Sequence, residues 1–503
     1  MKKILLSILF LSNFFLVDGQ NLIGNSIYGS YYNSESGRSV GLSSDGNFVA
    51  IGAPQSSFNG MSNAGSVKVY QYKNDSTDWT QVGQDILGEA AGDLSGSSLS
   101  ISNDGQTVAI GSPYSSIVRE NGGQVRVFIY DSFTSDWVQK GNSIFGDNLL
   151  GYSISLSSDG NTLAFGSLKN NSSTAENTGT IYVFRYFNGS WRQLGSNING
   201  INSDDEFAFD VSLSASGNRV ATSSIEVNNR SGSVRAYEFD ANLNSWIKIG
   251  QDLIGDDSND KFGSSISFSA DGNILAIGAP ENDVRGSNSG KVKVYTYDDN
   301  TKLFTQTGSD ILGENVGDFF GGSISLNDSG TILAIGNSTI NDVFSNDNSK
   351  VKIYQYITDS WVKKGIDTTG ETPSDYHGTS VSISGNGNRV ATGAPRNDAN
   401  GFNSGQVRVY DYSTVLNTSQ FVINESIVYP NPSKGLFVIK FDKNLGSSNT
   451  IKVFNSLGIL VIEKKNVTQT AYNLDLRNKP FGIYFLSIIK KGFSSKNLKI
   501  VKN

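Results

Sequence analysis

Residues 262–280 read FGSSISFSADGNILAIGAP; nearly the same phrase stands at 96–113, GSSLSISNDGQTVAIGSP, and at 378–395, GTSVSISGNGNRVATGAP. Each copy holds two strand signals around a hairpin turn. Ser264 to Phe268 alternates small polar with apolar residues, Asp271-Gly272 supplies the turn, and Ile274 to Ile277 is apolar throughout before Gly278-Ala279-Pro280 stops it. The turn glycine recurs at Gly46, Gly105, Gly160, Gly217, Gly272, Gly330 and Gly387, with gaps of 59, 55, 57, 55, 58 and 57 residues. A fixed period of this size marks a solenoid or a propeller.

Two more strand signals complete each unit. The third is Val-Lys-Val-Tyr-x-Tyr or a relative, at Val67 to Tyr72, Val292 to Tyr297 and Val407 to Tyr412; the fourth is Trp-x-x-x-Gly, as in Trp79 to Gly83 and Trp246 to Gly250. Four antiparallel strands in each of seven units is the arithmetic of an all-β, seven-bladed β-propeller. A linear solenoid would need polar caps, and none is visible. The last unit lacks a Trp strand after Tyr412, whereas Gly19-Gln20-Asn21-Leu22-Ile23-Gly24 matches Gly250 to Gly255. The N-terminal residues are therefore expected to supply outer strand to the seventh blade, with residues 413–425 the competing segment.

The remaining composition agrees with turn-rich β structure: 503 residues carry 55 glycines, 8 prolines and 17% charged residues. The absence of cysteine excludes disulfides, thiolate metal sites and cysteine nucleophiles. The opening MKKILLSILFLSNFFLVDGQ pairs two lysines with a short apolar run, the pattern of a secretory signal peptide over residues 1–19. The alternative, a membrane anchor, is too short and is interrupted at Ser12 and Asn13; no transmembrane segment is expected in the mature chain. Charge divides the remainder: from Ser426 onward 13 Lys/Arg face 3 Asp/Glu, against 27 and 44 before it. The split argues for a propeller over 20–412, a linker over 413–425 and a separate domain over 426–503. The acidic larger part excludes nucleic acid as its partner.

For the ring, the pairs Phe262-Gly263 and Gly278-Ala279-Pro280 bracketing an Asp-Gly turn resemble FG-GAP repeats, the propeller units of integrin α-chains. The resemblance implies the fold and a binding habit. That family's calcium loop needs several oxygen ligands, yet 267–273, SFSADGN, offers one carboxylate, so Asp271 reads as a turn residue and no cofactor or metal is expected. The end of the chain alternates as a small C-terminal β-sandwich should, at Phe437, Ile439 and Phe441 and at Ile451 and Val453. Its motifs Tyr429-Pro430-Asn431-Pro432, Asn455-Ser456-Leu457-Gly458 and Phe481-Gly482-Ile483-Tyr484, with terminal Leu498-Lys499-Ile500-Val501-Lys502, resemble the type A C-terminal sorting domain of the Bacteroidetes type IX secretion system. That resemblance implies the type IX machinery as a partner, export, removal of the domain, and a secreted or outer-surface location.

In a propeller the 2–3 and 4–1 loops share a face. The 2–3 loops are long and differ between units (Gln55 to Ala64, Tyr114 to Gly122, Leu168 to Asn177, Glu281 to Ser289, Asn337 to Asn348, Arg396 to Ser404), as a recognition surface on a fixed scaffold would. The 4–1 loops are acidic (Glu89 and Asp93, Asp147, Asp204 and Asp205, Asp256, Asp257 and Asp260, Glu314 and Asp318, Glu371 and Asp375), and of these Asp93, Asp205, Asp260, Asp318 and Asp375 are the candidate binding carboxylates. Their recurrence also fits structural pairing with the strand-three cations Lys68, Arg126, Arg235, Lys293, Lys352 and Arg408. Trp79, Trp137, Trp191, Trp246 and Trp361 share one repeat position and read as packing anchors rather than carbohydrate platforms. His377, the single histidine, stands where other units have Phe262 and Phe320, so it reads as packing and not as part of a Ser-His-Asp triad. No catalytic constellation is recognised. The expectation is a non-catalytic binding or adhesion propeller for a glycan or protein; the alternative is a propeller hydrolase or lyase acting on polysaccharide through an unidentified carboxylate pair.

Overall fold

The computed structural model describes residues 20–73, 77–170, 177–337, 349–413, 427–440, 449–455, 460–467, 471–490 and 496–503. The expected signal peptide, most of the 413–425 segment and the 2–3 loop residues 338–348 lie outside these. Contacts divide the chain into two compact units, Met1–Thr418 and Ser419–Asn503.

The first unit is all-β and antiparallel, propeller-like in organisation. The sheet built from the phrase at 262–280 runs Ser265–Phe268, Ile274–Ala279, Lys291–Asp298, Leu303–Gln306, with Ile311–Leu312 continuing along the third strand. Alternation puts Ile266 and Phe268 into the core, and the second strand, covered on both faces, is apolar throughout. Sheets of four or five strands follow one another in this manner, each innermost strand lying beside the next. The innermost strands are Ser39–Leu42, Ser98–Ile101, Leu150–Leu156, Phe207–Leu213, Ser265–Phe268, Ser323–Leu326 and Ser380–Ile383, and the last of them packs beside the first.

Three layers of hydrogen bonds cross these seams. One serine hydroxyl of six of the seven inner strands donates to a carbonyl of the following sheet, as Ser265 does to Gly321, Ser323 to Gly378 and Ser380 to Gly37, all at 2.7 Å. Two residues on, a second serine accepts from the following sheet's backbone, as Ser267 does from Leu326 N–H at 2.9 Å and Ser382 from Leu42 N–H at 2.9 Å. At the hairpin turns the backbone bonds run in a circle: Ser44 to Asn103, Asn103 to Ser158, Ser158 to Ala215, Ala215 to Ala270, Ala270 to Asp328, Asp328 to Gly385, and Gly385 back to Ser44, each N–H to C=O at 2.8–3.0 Å. The alternating serines are thus inter-sheet fasteners.

The FG and GAP elements meet at the same seams. A Cβ on Gly278 would lie 2.0 Å from the Gly321 carbonyl oxygen, and one on Gly393 2.0 Å from that of Gly37. Glycine at this position lets the next sheet's backbone approach.

The sheet of Ser380–Ile383, Arg389–Ala394 and Gln406–Asp411 takes its outer strand from the N-terminal residues, Asn21 pairing with Asp411 and Ile27 with Val407. Trp79 and its equivalents bind sheet to sheet, donating Nε1–H to a carbonyl of the outer strand before: Trp79 to Ile23, Trp137 to Val82, Trp191 to Lys140, Trp246 to Leu194 and Trp361 to Thr307, at 2.7–3.0 Å. Their indoles are enclosed or partly enclosed, as packing anchors should be.

In the second unit, a sheet of Ile427–Tyr429, Leu436–Lys440 and Ala471–Asp475 and a sheet of Leu460–Val467, Asn449–Asn455, Gly482–Lys490 and Lys496–Lys502 share one core, which includes Phe437, Ile451, Leu474 and Ile500. Its sorting-motif residues hold the fold together. Asn431 Oδ1 accepts from Val501 N–H at 2.8 Å, and the buried Tyr484 donates its hydroxyl to Pro480 O at 2.6 Å. Tyr429, Pro430 and Pro432 flank Asn431 at the edge of the smaller sheet, and Gly482 opens a strand at φ +144°. Gly458 lies outside the described residues.

Candidate functional site

At the end of the first unit where the innermost strands begin, they surround a cavity of about 800 Å³. Repetition builds its rim. The second residue before each FG glycine, or before Ala208 in the fourth copy, takes the left-handed conformation: Glu35, Leu94, Leu149, Glu206, Lys261, Phe319 and Tyr376 have φ between 47° and 66°. For a residue with a side chain that conformation costs about 1–2 kcal/mol. Here it is held by bonds to the preceding sheet's loop, such as Lys261 N–H to Arg230 O at 3.0 Å and Phe262 N–H to Ser231 O at 2.9 Å. Three residues further along, the cavity wall carries Arg38, Ser97, Tyr152, Phe209, Ser264, Gly322 and Thr379 in turn. The backbone repeats, and Ser97, Ser264 and Thr379 return their hydroxyls to the carbonyls of Leu94, Lys261 and Tyr376 at 2.7–2.8 Å; Arg38, Tyr152, Phe209 and Gly322 break that pattern.

Tyr152 and Phe209 form an aromatic pair on the wall, ring centroids 5.6 Å apart. Opposite charges gather around the fourth and fifth sheets, where Lys261 meets Glu281 at 2.9 Å and Arg230 reaches Glu226 at 3.3 Å and Glu281 at 3.6 Å. Burial and the neighbouring Glu226 raise the pKa of Glu206, against Lys169, Lys261 and Arg230.

Asp210 is the sharpest departure from the repeat, standing where six other inner strands place the donor serine. Its carboxylate reaches across the seam to accept from Ile266 N–H at 2.8 Å and also accepts from Val211 N–H at 2.8 Å. Half-buried on the cavity wall but closed in by the packed strands, it is pushed by desolvation up to about 7 despite those two bonds. An acid whose folded pKa exceeds its unfolded value, about 3.9, contributes stability below the lower value and loses it as pH rises through about 7. Asp210→Ser is therefore expected to raise the unfolding free energy by about 1–2 kcal/mol at pH 8, a value discounted for the cavity solvent, and much less at pH 4. Denaturant titrations at the two pH values check this; equal effects at both would contradict it.

The five candidate carboxylates lie elsewhere. Asp93, Asp205, Asp260, Asp318 and Asp375 are all buried, 1–7% exposed, and are bonded within their own loops. Asp93 accepts from Ala90 N–H at 2.8 Å, Asp205 from Asn202 N–H at 3.0 Å, Asp318 from Asn315 N–H at 2.9 Å and Asp375 from Glu371 N–H at 2.8 Å. Asp260 accepts from Asp257 N–H at 3.2 Å and Asn282 Nδ2 at 2.9 Å. The strand-three cations pair with other acids, four of them with further carboxylates of the 4–1 loops as the pairing expectation had it: Arg126 with Glu89, Lys293 with Asp256, Lys352 with Glu314 and Arg408 with Glu371, while Lys68 meets Asp85 and Arg235 meets Asp252.

His377 is 1% exposed and bonded through Nε2 to Thr368 Oγ1 at 2.9 Å. Burial above all, with Arg408 adding and Asp375 opposing, holds its pKa near 3, so the ring is neutral. Asp271 serves its own turn, accepting from Ser269 Oγ at 2.6 Å and Asn273 N–H at 3.0 Å. Among the described residues no three His, Asp or Glu side chains converge on a metal-sized site, and no helix is long and apolar enough to cross a membrane.

Sequence reasoning passed over Arg38, Tyr152, Phe209 and Asp210. The signal that finds them is departure from the repeat consensus, whereas the acidic candidates were chosen for their place in the 4–1 loops.

Two family models match the chain: FG-GAP repeat over residues 255–295 and 370–410, and Secretion system C-terminal sorting domain over 427–503. A search of curated proteins finds no match. Similar solved structures include the periplasmic gluconolactonase PpgL of Pseudomonas aeruginosa, at 13% identity and a TM-score of 0.46, covering 69% of this chain and 96% of that one. Another, from a study of two prolyl endopeptidases, has 13% identity and a TM-score of 0.38, covering 81% of this chain and 47% of that one. The chain carries FG-GAP repeats and ends in a type IX sorting domain, which sends it to the cell surface or the extracellular space.

Proposed function

We propose that the first unit is a closed seven-bladed propeller, followed by a small sorting sandwich, and that it works outside the cell as a non-catalytic glycan-binding module. The ligand enters the cavity ringed by the innermost strands. One observation carries this reading: at one repeated backbone position around the mouth, where Ser97, Ser264 and Thr379 keep a common hydroxyl, Arg38, Tyr152, Phe209 and Gly322 depart from it, so the repeat is broken on the side that a ligand would touch. A concave site with a few aromatic faces and several polar groups suits a sugar better than a flat protein surface. The test is a glycan array followed by calorimetry on the secreted chain. Tyr152→Ala is expected to weaken the best ligand about tenfold or more, the loss of one well-placed aromatic contact. Unchanged affinity in that variant contradicts the placement.

The second reading, an enzyme acting on polysaccharide, draws on Asp210, an acid held near neutrality in a cleft. Release of reducing ends or unsaturated products, abolished in Asp210→Asn, would favour it over binding alone.

A further inference from the structure

The mouth has one corner with uncompensated positive charge. The strand-three cations are each matched by a carboxylate, but Arg38 and Arg396 enter no ion pair and make no side-chain hydrogen bond to any described residue. Arg38 lies on the cavity wall. Arg396 follows the Ala394-Pro395 stop of the last sheet; its backbone N–H is fixed to Asp375 O at 3.2 Å, and its guanidinium sits over Tyr376 at 4.7 Å. Its Nε is buried without an acceptor. The two cations feel one another. Burial, first of all, lowers the pKa of Arg38; Glu35 and then Tyr152 oppose it, Arg396 lowers it further, and Tyr114 opposes. Both arginines stay charged, because the guanidinium holds its proton in proteins. Two neighbouring, partly desolvated cations that enter no ion pair are unfavourable, and Glu35 offsets the charge of Arg38 only in part, without bonding to its guanidinium. Neither is imposed by the repeat: the equivalents of Arg38 are Ser, Tyr, Phe, Gly and Thr, and those of Arg396 include Gln55, Tyr114 and Glu281.

We propose that this corner is the subsite for the carboxylate of an acidic sugar, held by Arg38 with Arg396 behind it while the sugar ring lies against Tyr152. The proposal deepens the glycan-binding reading and rests on it. A planar guanidinium matches a carboxylate with two parallel N–H···O bonds. The opposite wall narrows the choice: its cations Lys261 and Arg230 are already paired with Glu281 and Glu226, so it offers no free positive group for a second anion. The site therefore takes a glycan with a single uronate rather than a polyanion.

Calorimetry on the secreted chain tests this with a neutral tetrasaccharide carrying one glucuronate, its methyl ester, a sulfate-ester analogue and tetragalacturonate. The mono-uronate is expected to bind about tenfold or more tighter than the ester, as a charge-assisted hydrogen bond implies, and tighter than the other two. Arg38→Gln should remove that preference, leave the ester's affinity unchanged, and keep or raise the melting temperature because an unpaired charge is relieved; Arg38→Lys should restore part of the preference. Equal binding of acid and ester, an Arg38→Gln variant with full preference, or equal binding of the sulfate ester overturns the subsite. If a neutral glycan binds in a Tyr152-dependent way with no preference for acid, the subsite falls and the glycan reading stands. If no oligosaccharide binds, both fall.

Discussion

A chain that begins at Gly29 is expected to unfold far more easily than one that begins at Gln20. The missing stretch supplies the strand pairs Asn21–Asp411, Leu22–Tyr410, Ile27–Val407 and Tyr28–Gln406. Ile23 and Ile27 are each 8% exposed in the core that joins the last sheet to the first. Emptying a buried isoleucine site costs about 2–5 kcal/mol. Trp79 Nε1 would also lose its acceptor, Ile23 O, at about 1–3 kcal/mol for a buried orphan donor. The sum, about 5–13 kcal/mol, rivals the whole stability of an ordinary domain, and the bared strand Gln406–Asp411 would be an edge open to aggregation. Denaturant unfolding followed by tryptophan fluorescence measures this. A truncated chain within about 1 kcal/mol of the longer one would show that these residues do not bind the ends of the unit together.

Gly278→Val is expected to cost about 3 kcal/mol or more. Its Cβ would lie 2.0 Å from the Gly321 carbonyl oxygen, a backbone atom tied to the Ser265 hydroxyl, so relief requires one sheet to back away from the next. Gly189→Ala is the comparison. It has φ +83° and open space around it, and its cost is limited to the left-handed backbone, about 1–2 kcal/mol. Thermal melts of the two variants separate them. Equal losses would mean that the GAP glycine serves its own turn and not the seam.

Strand positions were readable because the repeat supplies several copies of each signal, and a chance alternation in one copy is corrected by the others. The closing role of Gln20 to Gly24 was readable for the same reason, being a displaced copy of Gly250 to Gly255. The serines showed as alternation, but nothing in one copy tells that Ser265 donates and Ser267 accepts across a seam. The cavity wall was not singled out. Repetition draws attention to Asp93, Asp260 and Asp375, yet a carboxylate that recurs answers a need that recurs, here the N–H groups of residues three or four before it. Recognition chemistry has no such need. Arg38, Tyr152, Phe209 and Asp210 are single occurrences, and only the ring brings residues about 57 apart onto one rim.

A crystal structure of the secreted chain tests the central claim most directly. The account predicts that the seventh unit of the repeat touches the first, with Ser380 Oγ 2.7 Å from Gly37 O and Gly385 N 2.8 Å from Ser44 O, completing the circle of backbone bonds at the turns. Those two seam contacts absent, with the first and last sheets apart in an open spiral, would contradict it and remove the mouth on which every proposed contact depends.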